Sequence, residues 1–119
     1  MMKLINTRTG RTFLNNLSIK SSFWGRLVGY LFVPESENKN GMLLLTTKRV
    51  HTFGMSHPLD LYFLDRSFKL IDIQRDLKPN RVSASPKGCA HILEISHKVT
   101  QTDNLKPGDC LSIEIRLLK

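Results

Sequence analysis

Apolar residues along this chain fall mostly on a period of two and once on the helical period. Near the C-terminal end Leu111, Ile113, Ile115 and Leu117 alternate with Ser112, Glu114 and Arg116, the pattern of a strand with one buried face and one wet face. Upstream, LDLYFLD at 59–65 and FKLIDIQ at 68–74 read as strands joined through Asp65-Arg66-Ser67, a connection of hairpin length. In the first, Leu59, Leu61 and Phe63 share one face while Asp60, Tyr62 and Leu64 share the other. MLLLT at 42–46 and CAHILEI at 89–95 are short apolar runs suited to strands covered on both faces. RVHTFGM at 49–55 reads as a further strand, with Arg49, His51, Phe53 and Met55 on one face and a bulge expected at Gly54. Ser56-His57-Pro58 is the turn that follows it. RTFLNNLSI at 11–19 is either one strand or two short pieces around Asn15-Asn16.

The helical period belongs to SSFWGRLVGYLF, where Phe23, Trp24, Leu27, Val28 and Leu31 form one stripe and Ser21 or Ser22 supplies a cap. Gly25 and Gly29 suit close packing of this helix on a sheet; Arg26 and the short length argue against a membrane dimer motif. PESENKNG at 34–41 is a polar loop, and RDLKPNRVSASPKG at 75–88, with two prolines, an extended one. SHKVTQTDNL at 96–105 has room for a second short helix, and KPGD at 106–109 is a turn. The expected class is α+β and β-dominated, with one main helix packed against or plugging a curved antiparallel sheet.

Length and composition narrow this. A chain of 119 residues is expected to form one domain, residues 1–119, burying about two-thirds of its unfolded surface without staples. Two cysteines, Cys89 and Cys110, in apolar strand-like runs read as core thiols more than as a bridge. The N-terminal MMKLINTRTGRTFLNNLSIK has no apolar run of secretory length, and no stretch reaches the roughly 20 apolar residues of a membrane span. The protein is therefore expected to be soluble and cytoplasmic. The net charge of +8 is uneven: residues 1–33 carry five basic residues and no acid, residues 67–87 carry five against Asp72 and Asp76. Such segments attract anions if they share a face, and otherwise serve solubility.

The chemistry-bearing residues concentrate in KRVHTFGMSHPLDLYFLD, residues 48–65. His51 paired with Asp60 would make an imidazole–carboxylate couple able to move protons near neutral pH. Arg49, Thr52 and His57 stand beside them, and Arg75, Lys78, Arg81 and Lys87 recur along the following loop in a form suited to an anion. The candidate ligand-binding set is Arg49, His51, Thr52, His57, Asp60, Arg75, Lys78 and Arg81. The histidine and cysteine spacings match no standard zinc site, so no metal and no cofactor are expected. Cys89 with His91 two residues on is a weak nucleophile candidate in what reads as a core strand. The loop lacks the interleaved aromatics that single-strand binders use, which makes nucleic acid an unlikely partner. The leading reading is a non-enzymatic binding or accessory module for a small anionic ligand or a protein partner. The alternatives are a small hydrolase or isomerase using a His–Asp pair, and a basic nucleic-acid binder.

The run GMLLLTTKRVHTFGMSHPLDLYFLD, then DLKP, HILEI and LKPGDCLSI, resembles the small bacterial and archaeal domain of unknown function 192, over about residues 10–116. SFWGRLVGYLF is similar to that family's glycine- and arginine-containing helix. The resemblance implies a compact β-rich fold with a partly closed, barrel-like sheet and little helix, and it implies no reaction. Many relatives carry phenylalanine-tryptophan-methionine-lysine-asparagine-threonine where this chain has Val50-His51-Thr52-Phe53-Gly54-Met55. A role resting on that tryptophan, lysine or asparagine therefore does not transfer. Many relatives are also exported, whereas no signal sequence is seen here.

Overall fold

The buried apolar residues divide into two clusters, and the division follows the alternation along one strand. In the computed structural model, which describes residues 2–20, 41–97 and 105–115, the elements are β1 (Met2–Asn6), β2 (Thr12–Leu14), β3 (Ser18–Lys20), β4 (Met42–Leu44), β5 (Leu59–Leu64), β6 (Leu70–Leu77), β7 (His91–Ser96) and β8 (Leu111–Ile115). They form a three-stranded sheet in the order β2-β1-β8 and a five-stranded sheet in the order β3-β4-β7-β5-β6. All pairings are antiparallel except β3 with β4.

β5 is buried at all six positions because strands flank it and apolar layers cover both its faces. Its Tyr62 and Leu64 enter the first cluster with Leu43, Leu93, Ile95 and Leu70, where Leu4, Leu14 and Leu111 of the other sheet meet them. The two sheets pack through this shared core, and Phe13 meets the Tyr62 ring edge-on at 5.4 Å. Leu59, Leu61 and Phe63 point the opposite way, into a second cluster with Leu44, Leu77 and Ile92. Among the described residues no strand covers that cluster. It is closed by Val50, Met55 and Cys89 from two irregular segments. The tip of the β5–β6 hairpin ties the sheets together: Leu70 N–H donates to Asp109 O (2.8 Å) and Leu111 N–H to Phe68 O (3.0 Å).

Several expectations are corrected. Among the described residues the fold is all-β, and neither sheet closes into a barrel; both are open, with β2 and β8 as the edges of one and β3 and β6 of the other. The reason lies at Asn15-Asn16: the chain bends there and changes sheet, so β2 and β3 become edges of different sheets, which stack instead of closing. The one-main-helix class therefore does not describe this structure; the segment 21–32 read as that helix lies outside the described residues. The second short helix falls largely on residues outside them too; of its ends, Ser96 closes β7 and Leu105 is buried in the first core.

Residues 49–55 are not a strand. They make one isolated bridge, His51 with Val82, and turn at Phe53-Gly54, where Gly54 takes a φ of +80°. Met55 is buried while Phe53, two residues before it, is half exposed, so the expected shared face does not form.

Candidate functional site

The segments that close the second core, residues 45–58 and 78–90, lie side by side as a layer over the five-stranded sheet. They meet strand backbone at their ends, Leu45 N–H on Lys20 O (3.0 Å) and Ala90 N–H on Leu64 O (2.8 Å), and between those ends their polar backbone groups pair with each other. Thr52 N–H donates to Arg81 O (2.9 Å), Asn80 N–H to Thr52 O (3.1 Å), Ser83 N–H to Val50 O (2.8 Å) and Thr47 N–H to Ala90 O (2.9 Å). Two buried hydroxyls complete the lacing. The Thr52 hydroxyl donates to Lys78 O (2.6 Å) and accepts from Arg81 N–H (2.9 Å), and Ser83 Oγ accepts from Val50 N–H (3.0 Å). Thr52 is thus a clamp between the loops. Replacing it by valine, which keeps the shape and loses both bonds, is expected to cost about 1–3 kcal/mol. Amide exchange at residues 78–83 should quicken more than in β5 or β7; equal acceleration everywhere would deny it the role of a local clamp.

The lacing brings most of the sequence-derived candidates onto one layer. Arg49, Lys78 and Arg81 are exposed on it. His51 is half-buried, its ring stacked on Phe53 at 5.0 Å and its Nδ1 accepting from Phe53 N–H (3.3 Å). His57 is buried, its Nδ1 3.4 Å from Ser56 Oγ. Lys78 pairs with Asp76 at 2.9 Å, and that ammonium holds the Asp76 carboxyl below its usual range.

Asp60 belongs to a different group. It is buried at the start of β5, where Oδ1 accepts from Asp76 N–H (2.8 Å) at a bend in β6 whose φ is +56°. The same oxygen lies 2.7 Å from His97 Nδ1, and Oδ2 lies 3.5 Å from Arg75 Nη1. The imidazole partner of Asp60 is therefore His97, not His51. A buried carboxylate on one ring nitrogen fixes the ring, and Nε2 lies 3.9 Å from Asp76 Oδ1. Arg75 also donates to Tyr62 Oη (3.3 Å) and lies over that ring at 5.7 Å; burial pushes the Tyr62 hydroxyl up. His97, Tyr62 and Asp76 were missed from the sequence. The register explains His97: β5 and β7 pair Asp60 with Ile95, so the residue just past the end of β7 reaches back to the carboxylate.

Both cysteines are thiols. Burial pushes the Cys89 thiol up, and it donates weakly to Thr47 O at 3.6 Å, which leaves a neutral group and a poor nucleophile. Among the described residues no three of histidine, cysteine, aspartate and glutamate gather as metal ligands, and no helix is long and apolar enough to cross a membrane.

The comparisons with known proteins agree on kinship and fold. A UPF0127 protein from Thermococcus sibiricus is 27% identical over 116 residues, covering 94% of this chain and 75% of its own. A crystal structure of a protein of unknown function from Novosphingobium aromaticivorans superposes with a TM-score of 0.68 at 18% identity, over 93% of this chain and 82% of that one. A second, from Sinorhizobium meliloti and provisionally described as a transcription regulator, gives 0.68 at 20% identity, over 93% and 90%. At those identities the structural likeness is one of fold. The model of the DUF192 family, described as an uncharacterized conserved group, matches residues 4–113, and the chain belongs to that family.

Proposed function

We propose that the protein is a non-enzymatic binding module for a small anionic ligand, held on the layer made by residues 45–58 and 78–90. One observation carries this reading: the two segments contain Lys48, Arg49, Lys78, Arg81 and Lys87 and not one aspartate or glutamate. Lacing them together gathers like charges on a face with few internal counter-ions, an arrangement that favours an anion. Arg49 and Arg81 would engage the ligand, with His51 and the exposed Phe53 ring beside them as a donor and an apolar flank. Thr52 and Asp60 would act beneath, fixing the loops and the β6 bend. A protein partner with an acidic segment is the reading's other form.

Isothermal titration against a panel of phosphosugars and anionic metabolites tests it. Arg49→Ala and Arg81→Ala, both at exposed positions, are expected to weaken the tightest binder about tenfold each, the effect of losing roughly 1.4 kcal/mol. If every affinity detected is the same in wild type and both variants, those arginines are not the site.

A further inference from the structure

We propose that a hollow walled by Lys48, Arg66 and Lys87, at the far end of the same loop layer, is a binding site for a phosphomonoester dianion. It shares Lys48 and Lys87 with the charges of the reading above but neither Arg49 nor Arg81, which engage the ligand there, so variants at the arginines separate the two. The hollow consists of two adjoining concavities of about 360 and 390 Å³ that share Lys48, Arg66 and Ala90. Thr46 and His91 line one; Ser85, Pro86, Lys87, Gly88 and Cys89 line the other. This is the scale of small-molecule sites. The β5–β7 register pairs Leu64 with His91 and Leu59 with Ser96, which places the hollow roughly 17 Å along the strands from the Asp60–His97 pair.

Three separate segments supply its charges, and each is held in place. Thr47 N–H donates to Ala90 O at 2.9 Å, Ala90 N–H to Leu64 O at 2.8 Å and Cys89 N–H to Pro86 O at 3.1 Å. The hairpin tip that carries Arg66 is fixed by Asp65, whose Oδ1 accepts from Ser67 N–H (2.8 Å) and Lys69 N–H (3.0 Å). Asp65 is thereby committed to the turn, and it does not line the hollow. Among the described residues none of the three cations has an ion-pair partner, and no carboxylate is part of the wall. Their mutual repulsion stands until an anion enters. The neutral Cys89 thiol does not compete for that role.

His91 gives the wall a direction. Its Nδ1 accepts from Thr46 N–H at 2.9 Å, which places the proton of the neutral ring on Nε2 and makes that nitrogen a donor. Phe68 stacks on the ring at 4.7 Å and fixes its plane. A guanidinium fork, two ammonium groups and a fixed imidazole donor suit a tetrahedral oxyanion of charge two better than a single carboxylate. The apolar lining at Pro86, Gly88 and Ala90 leaves space for a small organic group on the phosphorus oxygen.

The test is calorimetric titration of the protein with inorganic phosphate and with glycerol 3-phosphate, acetate serving as the monovalent control. Both phosphates are expected to bind more tightly than acetate. Arg66→Glu and Lys87→Glu should each weaken phosphate by about tenfold or more, and Arg66→Lys by an intermediate factor, since it keeps the charge and loses the fork. Arg49→Ala and Arg81→Ala should change phosphate affinity by less than about twofold, through screened long-range charge alone. Arg66→Ala and Lys87→Ala repeat the test without charge reversal should either glutamate variant melt early. The proposal is overturned by no saturable phosphate binding, by acetate binding as tightly as phosphate, or by equal weakening from all four positions. Loss confined to Arg49 and Arg81 would sink it while sustaining the reading above; loss confined to Arg66 and Lys87 sustains it and leaves the reading above to its own titration of the anion panel.

Discussion

Truncating Phe63 to alanine is expected to cost about 3–5 kcal/mol, a large share of the roughly 5–15 kcal/mol that holds a domain of this kind folded. Phe63 has no exposed surface and is the fifth of the six residues of β5, opposite Ile92 of β7 and Asp72 of β6. Strands flank it on both sides, so the backbone cannot collapse into the space a benzyl group leaves. The second core that it fills is also the floor on which Val50, Met55 and Cys89 anchor the loop layer. Phe53→Ala is the control: that ring is half exposed, and its loss should stay within about 0.5 kcal/mol. Urea unfolding of the two variants measures both effects. Near-equal costs would mean that the second core is not what supports the loops.

The second large effect is expected in acid. Asp109, 5% exposed, accepts from Arg8 Nε at 2.6 Å and Nη2 at 3.2 Å, from Asn6 Nδ2 at 3.1 Å and from Lys106 N–H at 3.0 Å. The Arg8 guanidinium, aided by these donors, holds the carboxyl down to about 2. A carboxyl lower in the folded state than in the unfolded chain contributes stability that is present above the unfolded value. That contribution is lost as pH falls through the folded one. Allowing for the partial exposure of Arg8, it amounts to about 1–2 kcal/mol, fading between roughly pH 5 and pH 2. Asp109→Asn should flatten the acid limb of the stability curve and lower stability at pH 7. An unchanged acid limb in this variant would assign acid sensitivity to other carboxylates. Because Asp109 joins the end of β1 to the turn before β8, the loss should appear first as exchange in the three-stranded sheet.

How far the sequence discloses this molecule depends on whether a residue's role is set by its neighbours in the chain or by distant ones. Alternation assigns both faces of β5 correctly, because Leu59, Leu61 and Phe63 on one side and Tyr62 and Leu64 on the other enter separate cores. The strand at 111–115 was legible for the same reason, and those at 42–44 and 91–96 as short apolar runs. The strand expected at 68–74 runs on to Leu77, into the expected loop, and the break at Asn15-Asn16 is one of two alternatives for residues 11–19. β1 was not: Lys3 and Asn6 interrupt its apolar run, and the buried Asn6 amide donates to Asp109, far along the chain, while its carbonyl accepts from Arg8 N–H.

Residues 49–55 misled in the opposite sense. Their composition suits a strand, but Thr52 and Ser83 satisfy the backbone with hydroxyls, and the segment settles as a loop stitched to 78–83. The candidate residues at 49–57 and 78–81 share the loop layer. Their pairings were not legible, since the choice of His97 over His51 for Asp60 depends on the β5–β7 register. The cations of the hollow come from three segments that no local pattern connects.

The central claim is that the acid-free loop layer is where this protein meets an anion. The most direct measurement is an amide chemical-shift titration of isotope-labelled protein with a phosphomonoester. Saturable shifts are expected at residues 46–52, 66 and 78–91, with the amides of β1, β2 and β8 unmoved. Shifts spread evenly over both sheets, or confined to the β2-β1-β8 sheet, would contradict it.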